Sequence, residues 1–290
     1  MKNLMKLIRV KHWLKNLLVF IPIFFSLNIV NINYLQYCLF SFLIFSASSS
    51  IVYIINDICD IEDDKKHPIK KNRPLASGAI SIKKATIILL ILSLILLILV
   101  FSLYKLINNV FIIIIPILYI ILNLLYSKFL KKIPIIDVTI IVIGFVLRVI
   151  YGAIATSIVV SKYLYLMIIF GGFYLGFCKR RNEIIQIGNR SRSVLNDYNK
   201  EFLDKNMYVA DTLTIVAYTL WSVDSTAVIK TGNDYRFWTI PIVMLILQLY
   251  SFNVEKNSFG DPIDVLFSDK KLFILTIIYI IVMILILYIL

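Results

Sequence analysis

Two stretches of this chain, 111–125 and 272–290, run without a single charge. A helix needs roughly 20 apolar residues to cross the hydrocarbon of a bilayer. Only helices and closed barrels satisfy their backbone there. The apolar runs are continuous rather than alternating, which selects helices. The 290 residues are 60% hydrophobic, with mean hydropathy +0.88, whereas soluble domains sit near about 45–50% apolar. The expected fold class is all-α, a polytopic membrane bundle forming one transmembrane domain over 1–290.

Nine spans are predicted, near 16–33, 36–56, 85–104, 110–127, 134–157, 163–178, 207–228, 236–253 and 272–290. Alternating sides along the chain puts twenty-five Lys and Arg on the side of the N-terminus and four (Lys105, Lys162, Lys230, Arg236) on the other. Arg148 lies within a span. The positive-inside rule then places the N-terminus in the cytoplasm and the C-terminus outside, in a cell membrane. The start is basic and amphipathic, and no small-residue cleavage site follows it. A net charge of +13 in so apolar a chain serves orientation and anionic ligands rather than nucleic acid. Cys38, Cys59 and Cys178 lack metal spacing and are expected to pack as small apolar residues. The two large cytoplasmic connections, near 57–84 and 179–206, are left to carry function.

The first of these begins Asn56-Asp57-Ile58-Cys59-Asp60-Ile61-Glu62-Asp63-Asp64. On one continuous helix Asp57, Asp60 and Asp64 fall within about 60° of one another. Asn56 lies beside them, while Glu62 and Asp63 point elsewhere. Three carboxylates on one face repel unless a cation joins them. Magnesium prefers such oxygens and keeps sites for substrate phosphates. A solvated acidic helix end is the plain alternative, but acids at a helix C-terminus oppose the macrodipole. The following segment, 65–78, holds Lys65, Lys66, Lys70, Lys71 and Arg73 among Pro68, Pro74 and Gly78. The prolines and glycine end the helix and shape a loop. Its cations can hold phosphate oxygens that a metal leaves free, with Arg73 the strongest candidate. His67, beside a proline, reads as structural.

These residues, N-D-x-x-D-x-x-x-D and then H-P-x-K-x-x-R-P-x-A-S-G, resemble the UbiA superfamily of intramembrane prenyltransferases. More narrowly, they are similar to the branch containing decaprenyl-phosphate phosphoribosyltransferase. The opening Arg9-Val10-Lys11-His12-Trp13-Leu14-Lys15-Asn16 resembles that branch's R-P-x-Q-W-x-K-N, with Val10 and His12 departing from it. Tyr126-Ser127-Lys128, Asp137-Val138, Gly144-Phe145-Val146-Leu147-Arg148 and Lys179-Arg180-Arg181-Asn182-Glu183 extend the likeness, which is weakest after 210. Aromatic prenyltransferases of the superfamily carry a second aspartate-rich motif after the sixth helix. Here three cations stand in that place, which favours an anionic group over a second metal.

The resemblance implies magnesium-dependent transfer of 5-phosphoribose from phosphoribosyl diphosphate to a polyprenyl phosphate, within membrane lipid. Asp57, Asp60 and Asp64 would hold magnesium, and Asn56 would orient a ligand or the ribose. Arg73 and Lys71 would bind diphosphate. Lys179, Arg180 and Arg181 would bind the 5-phosphate, and Lys11, Lys15 and Asn16 the lipid phosphate. Glu183 is given no role as a base, since a phosphate monoester is already a nucleophile. Tyr126 and Lys128 are secondary candidates at the cytoplasmic entrance. Arg148 is an intramembrane cation, functional by default, or else a structural partner of a group such as Asp224. Gly171, Gly172 and Gly176 are expected at a close helix contact. An aromatic prenyltransferase using a polyprenyl diphosphate and a lipid transporter are the competing readings.

Overall fold

The computed structural model describes residues 2–66, 70–187, 193–224, 234–256 and 262–290. His67, Pro68, Arg190, Arg192, Lys230 and the end of the expected span 207–228 lie outside the described residues. Within them the chain is helical, with twelve α-helices. Six are long and apolar enough to cross a membrane: Ile32–Cys59, Ile82–Ile107, Phe111–Lys128, Ile136–Thr156, Tyr235–Glu255 and Lys270–Tyr288. The protein is therefore an integral membrane protein.

Two compact units divide the chain. The first comprises Met1–Phe24, Asn28–Leu130 and Leu147–Val159, and the second Phe25–Leu27, Lys131–Val146 and Val160–Leu290. The first opens with a short helix α1 (Lys2–Leu7), then a 3-10 helix Val10–Phe20 that runs directly into α2 (Ile21–Phe25). The expected first span, 16–33, is therefore not one α-helix. At about 2.0 Å per residue in a 3-10 helix and about 1.5 Å in an α-helix, the two pieces still reach about 30 Å, the thickness of the hydrocarbon.

Helix α3 (Ile32–Cys59) starts where the Asn31 side chain accepts the Asn33 and Tyr34 amides. It is the most enclosed of the candidate spans. Its run Ser46-Ala47-Ser48-Ser49-Ser50 is buried, as expected where small residues let backbones approach in a membrane protein. A short α4 (Ile61–Lys66) follows. Helix α5 (Ile82–Ile107) is capped by Ser81, whose Oγ accepts the Lys84 amide. It leaves Leu90, Leu94, Leu97 and Ile98 exposed, the side of a helix that meets lipid. Helix α6 (Phe111–Lys128) and the C-terminal part of α7 (Ile136–Thr156) complete this unit. Gly152 of α7 sits against the Val19 backbone, and a Cβ there would collide with the Val19 carbonyl.

The second unit holds the start of α7, then α8 (Lys162–Ile187), α9 (Lys200–Ser222), α10 (Ile240–Glu255), α11 (Pro262–Ser268) and α12 (Lys270–Tyr288). The glycine expectation holds here. A Cβ on Gly172 would press on Val142 and Phe145, and one on Gly176 on Val138, so α8 lies close against the start of α7. Helix α8 is longer than the expected span 163–178. Lys179–Glu183 continue it rather than opening a loop. Arg236, expected in an external loop, is buried with its guanidinium 5.3 Å from the Trp221 ring. Cys38 and Cys178 are buried as expected, whereas Cys59 is exposed.

Candidate active site

The acidic cluster follows from how α3 ends. The helix stops at Cys59, Asp60 takes φ −97° and ψ 10°, and α4 begins at Ile61. The hydrogen-bond ladder nevertheless crosses the break. The Asp60 amide donates to the Asn56 carbonyl at 2.9 Å, and the Asp64 amide to the Asp60 carbonyl at 2.8 Å. Asp57 and Asp64 thus stay on one face, 2% and 3% exposed. Asp60 falls at the break and is half-buried, as is Asn56. The convergence expected of three aspartates is met by two.

Between those two stands Arg73. Its Nη1 donates to Asp64 Oδ2 at 2.7 Å and to Asp57 Oδ1 at 3.2 Å. The loop presents it firmly, since its amide donates to the Lys70 carbonyl at 2.9 Å and its carbonyl accepts the Ser77 amide at 2.9 Å. Gly78 closes the loop with φ +73°, a left-handed conformation that costs glycine least. Lys71 is exposed beside it. A second guanidinium reaches Asp57 from the N-terminal segment. Arg9 Nη2 donates to Asp57 Oδ1 at 2.7 Å, and its Cζ lies 4.2 Å over the Tyr53 ring. Two buried carboxylates and two guanidiniums balance in charge, which is what permits acids to sit out of water.

Arg9 received no role from the sequence. The reason is conformational: φ 53° and ψ 49° put it in the left-handed region, which costs a non-glycine residue roughly 1–2 kcal/mol. That turn separates α1 from the 3-10 helix. Downstream, Trp13 Nε1 donates to Ser50 Oγ at 3.1 Å, and Ser50 Oγ lies 2.8 Å from the Ile8 carbonyl. The N-terminal segment is thereby fixed to α3.

For a metal, the donor chemistry fits in kind. Asp57 and Asp64 are oxygen acids enclosed by protein, and magnesium is commonly held by one or two carboxylates plus substrate phosphates. Among the described residues no group of three His, Cys, Asp or Glu lies close enough to form a protein-only metal cage. The arrangement suits a cation that arrives with a phosphorylated ligand.

The cationic stretch of α8 looks different in space than in sequence. Arg180 is 1% exposed; its Nε donates to Asp137 Oδ2 at 2.5 Å and its Nη1 to Glu183 Oε2 at 2.6 Å. Tyr198 donates to the other oxygen of Asp137 at 2.7 Å and accepts the Ile135 amide at 2.5 Å. Burial pushes the Tyr198 phenol up, so it remains a donor. Ile135 adopts φ 69°, a rare state for a β-branched residue. Arg181 is 6% exposed and donates through Nε to Asp204 Oδ1 at 2.5 Å. The acids that seemed to be missing after the sixth span are supplied by Asp137, Glu183 and Asp204. Lys179 is half-buried.

Arg148 is 5% exposed. Its Nε donates to Asn16 Oδ1 at 2.8 Å and its Nη2 to Tyr119 Oη at 3.0 Å, and its Cζ lies 4.8 Å and 5.2 Å from the Tyr119 and Phe45 rings. Asn16 Nδ2 in turn donates to Ser46 Oγ at 3.1 Å. Asn16 is therefore buried and committed to Arg148 and Ser46, a structural place rather than the surface contact expected of it. Asp224, the acid weighed as a partner for Arg148, accepts from Ser161 Oγ at 3.3 Å. Lys11 and Lys128 are exposed, and Lys15 and Tyr126 half-buried.

An all-helical membrane bundle with a carboxylate–guanidinium site at a helix end defines the class: an integral membrane transferase. The family follows from the sequence itself: residues 17–275 match the UbiA prenyltransferase family, and the chain belongs to it. It is 29% identical, over 99% of its length and 87% of the relative's, to the decaprenyl-phosphate phosphoribosyltransferase of Corynebacterium glutamicum. It is 27% identical, over 96% and 92%, to the protein of that name from Mycobacterium tuberculosis. Its fold is similar to that of a UbiA homolog from Archaeoglobus fulgidus bound to GPP and Mg2+, with TM-score 0.69 and 18% identity over 98% of this chain and 99% of that one.

Proposed function

We propose that this enzyme transfers 5-phosphoribose from phosphoribosyl diphosphate to a polyprenyl phosphate and releases diphosphate. The observation that carries the reading is the near-complete coverage by relatives named for that reaction. The acid pair adds the polar site that such a reaction needs. The C1–oxygen bond to diphosphate breaks, and a bond from C1 to an oxygen of the lipid phosphate forms. Magnesium bound at Asp57 and Asp64 would offset the charge that builds on the leaving diphosphate. Arg73, with one guanidinium already between the acids, is placed to take diphosphate oxygens, with Lys71 beside it. Asn56 and Asp60 border that face. The lipid phosphate is itself the nucleophile, so no residue is assigned as a base.

At the donor's 5-phosphate, Lys179 is the contact we favour. Arg180 and Arg181 serve it as positioning residues, because each is held by carboxylates. The acid pair faces the cytoplasm in this reading, as the charge asymmetry requires.

The test is mass spectrometry of lipid made by purified protein in nanodiscs with magnesium. A phosphoribosyl-linked polyprenyl phosphate and free diphosphate are expected from phosphoribosyl diphosphate. Consumption of a prenyl diphosphate with an aromatic acceptor, and none of phosphoribosyl diphosphate, would make the aromatic prenyltransferase the correct reading. Lipid movement without diphosphate release would mean transport.

A further inference from the structure

Between α1 and the start of the 3-10 helix lies a cavity of about 850 Å³, bounded by Lys2, Met5, Lys6, Arg9, Val10 and Lys11. We propose that this groove docks the phosphate of a lipid monophosphate, with Arg9 as the contact that joins the docked phosphate to the acid pair. The inference rests on the proposed transfer to a polyprenyl phosphate and adds to it a site and residues.

Four observations carry it. First, the groove is cationic by composition. Lys2, Lys6, Arg9 and Lys11 line it, and no acid precedes Asp57 in the chain. Asp57 offsets only one of these charges, through Arg9. Second, α1 is built to lie at a membrane surface. Leu7 is buried with Ile54, Leu75 and Ala85, while Leu4 and Met5 remain exposed alongside Lys2 and Lys6. Apolar and basic groups side by side on one short helix suit a headgroup region.

Third, Arg9 is held in a strained backbone state, φ 53°, and such outliers persist where surrounding structure over-determines them. Trp13, Ser50 and Ile8 supply that surrounding structure. The strain turns the Arg9 side chain toward Asp57 while it still lines the groove. Fourth, a guanidinium has five N–H donors, and the contact to Asp57 is made through Nη2. Phosphate oxygens on its other edge would meet a forked donor matched to them.

The ligand is a monoester rather than a bilayer phospholipid. A monoester carries about −1.5 to −2 charges near neutral pH, a better match to the surplus of lysines than the single charge of a diester. It also presents the oxygen that the reaction consumes.

The experiment uses the full chain in phosphatidylcholine nanodiscs and measures binding of undecaprenyl phosphate without any donor, with phosphatidylglycerol as competitor. The variants are Lys2→Gln with Lys6→Gln, and separately Arg9→Gly. Glycine tolerates the left-handed turn, so the second variant removes the side chain and keeps the backbone. We expect each to weaken undecaprenyl phosphate binding about tenfold or more, with an unchanged melting profile and little competition by phosphatidylglycerol. Wild-type binding in both variants, or equal competition by phosphatidylglycerol, overturns the proposal. If binding falls as expected but phosphoribosyl diphosphate is never consumed, the groove stands and the donor reading falls.

Discussion

Arg180 donates to Asp137 at 2.5 Å across 43 residues of sequence, and both side chains are closed off from solvent. The pair ties the start of α7 to the cytoplasmic end of α8. Removing one partner of a buried ion pair leaves the other charged and unsatisfied, typically a loss of about 3–5 kcal/mol. Arg180→Ala should therefore lower thermal stability in detergent, and Asp137→Asn should do the same. A direct phosphate ligand would behave differently, with affinity for the donor falling and stability holding. Melting curves beside the donor KM separate the two roles.

Arg180 also shows what the sequence left unread. Its charge was plain, and so was the lack of a second aspartate-rich motif beside it. The acids that meet it come from 43 residues upstream and three residues downstream, and linear spacing does not reveal such pairings. The spans were legible because apolar runs need no partner to be recognised. The first was the exception: residues 10–20 form a 3-10 helix, packed where Gly152 admits the Val19 backbone. Asp57, Asp64 and Arg73 were legible from helical periodicity and charge. Arg9 was not, because its place depends on a positive φ that no residue type announces.

Gly152 gives a test of that first segment. Its missing side chain makes room for the Val19 carbonyl, so Gly152→Ala forces backbone apart rather than a flexible side-chain end. We expect poor folding, seen as reduced yield and a broadened gel-filtration peak in detergent. Gly171→Ala is the control: there a Cβ would meet Thr214 at 3.7 Å, ordinary contact, and should be tolerated.

Orientation is tested by single cysteines at exposed sites. Lys65 and Lys270 should label only from the cytoplasmic face, and Lys105 and Lys162 only from outside. All four are exposed, so a missing signal reports sidedness rather than burial. The reverse pattern would overturn the assignment from charge.

At the start of α12, Asp269 accepts the Leu272 and Lys271 amides at 2.9 and 2.7 Å. These bonds, the Leu272 amide foremost, hold its carboxyl below the usual range. A depressed folded-state pKa contributes stability above the unfolded value, near pH 4, and loses it as pH falls through the folded one. Asp269→Ala should cost about 1 kcal/mol, as cap losses do. Amide exchange at Leu272 should quicken in the variant at neutral pH, and in the wild type only under acid.

The acid pair yields the sharpest functional expectation. Asp57 and Asp64 are buried and share Arg73, Asp60 is half-buried at the helix break, and Asp63 is exposed. Asp57→Asn or Asp64→Asn removes a charge from the proposed magnesium site and from Arg73 together. Turnover should fall on the order of 10²-fold or more. Asp63→Asn should change little, and Asp60→Asn should fall between. Arg73→Lys keeps the charge but not the fork that bridges two carboxylates, so it should lose activity while Lys71→Arg retains most of it. The measurement is diphosphate release at saturating donor, with and without chelator. Full activity in both the Asp57 and Asp64 variants would remove this face of α3 and α4 from the reaction. Equal losses at Asp57, Asp60, Asp63 and Asp64 would point to general electrostatics instead of a built site.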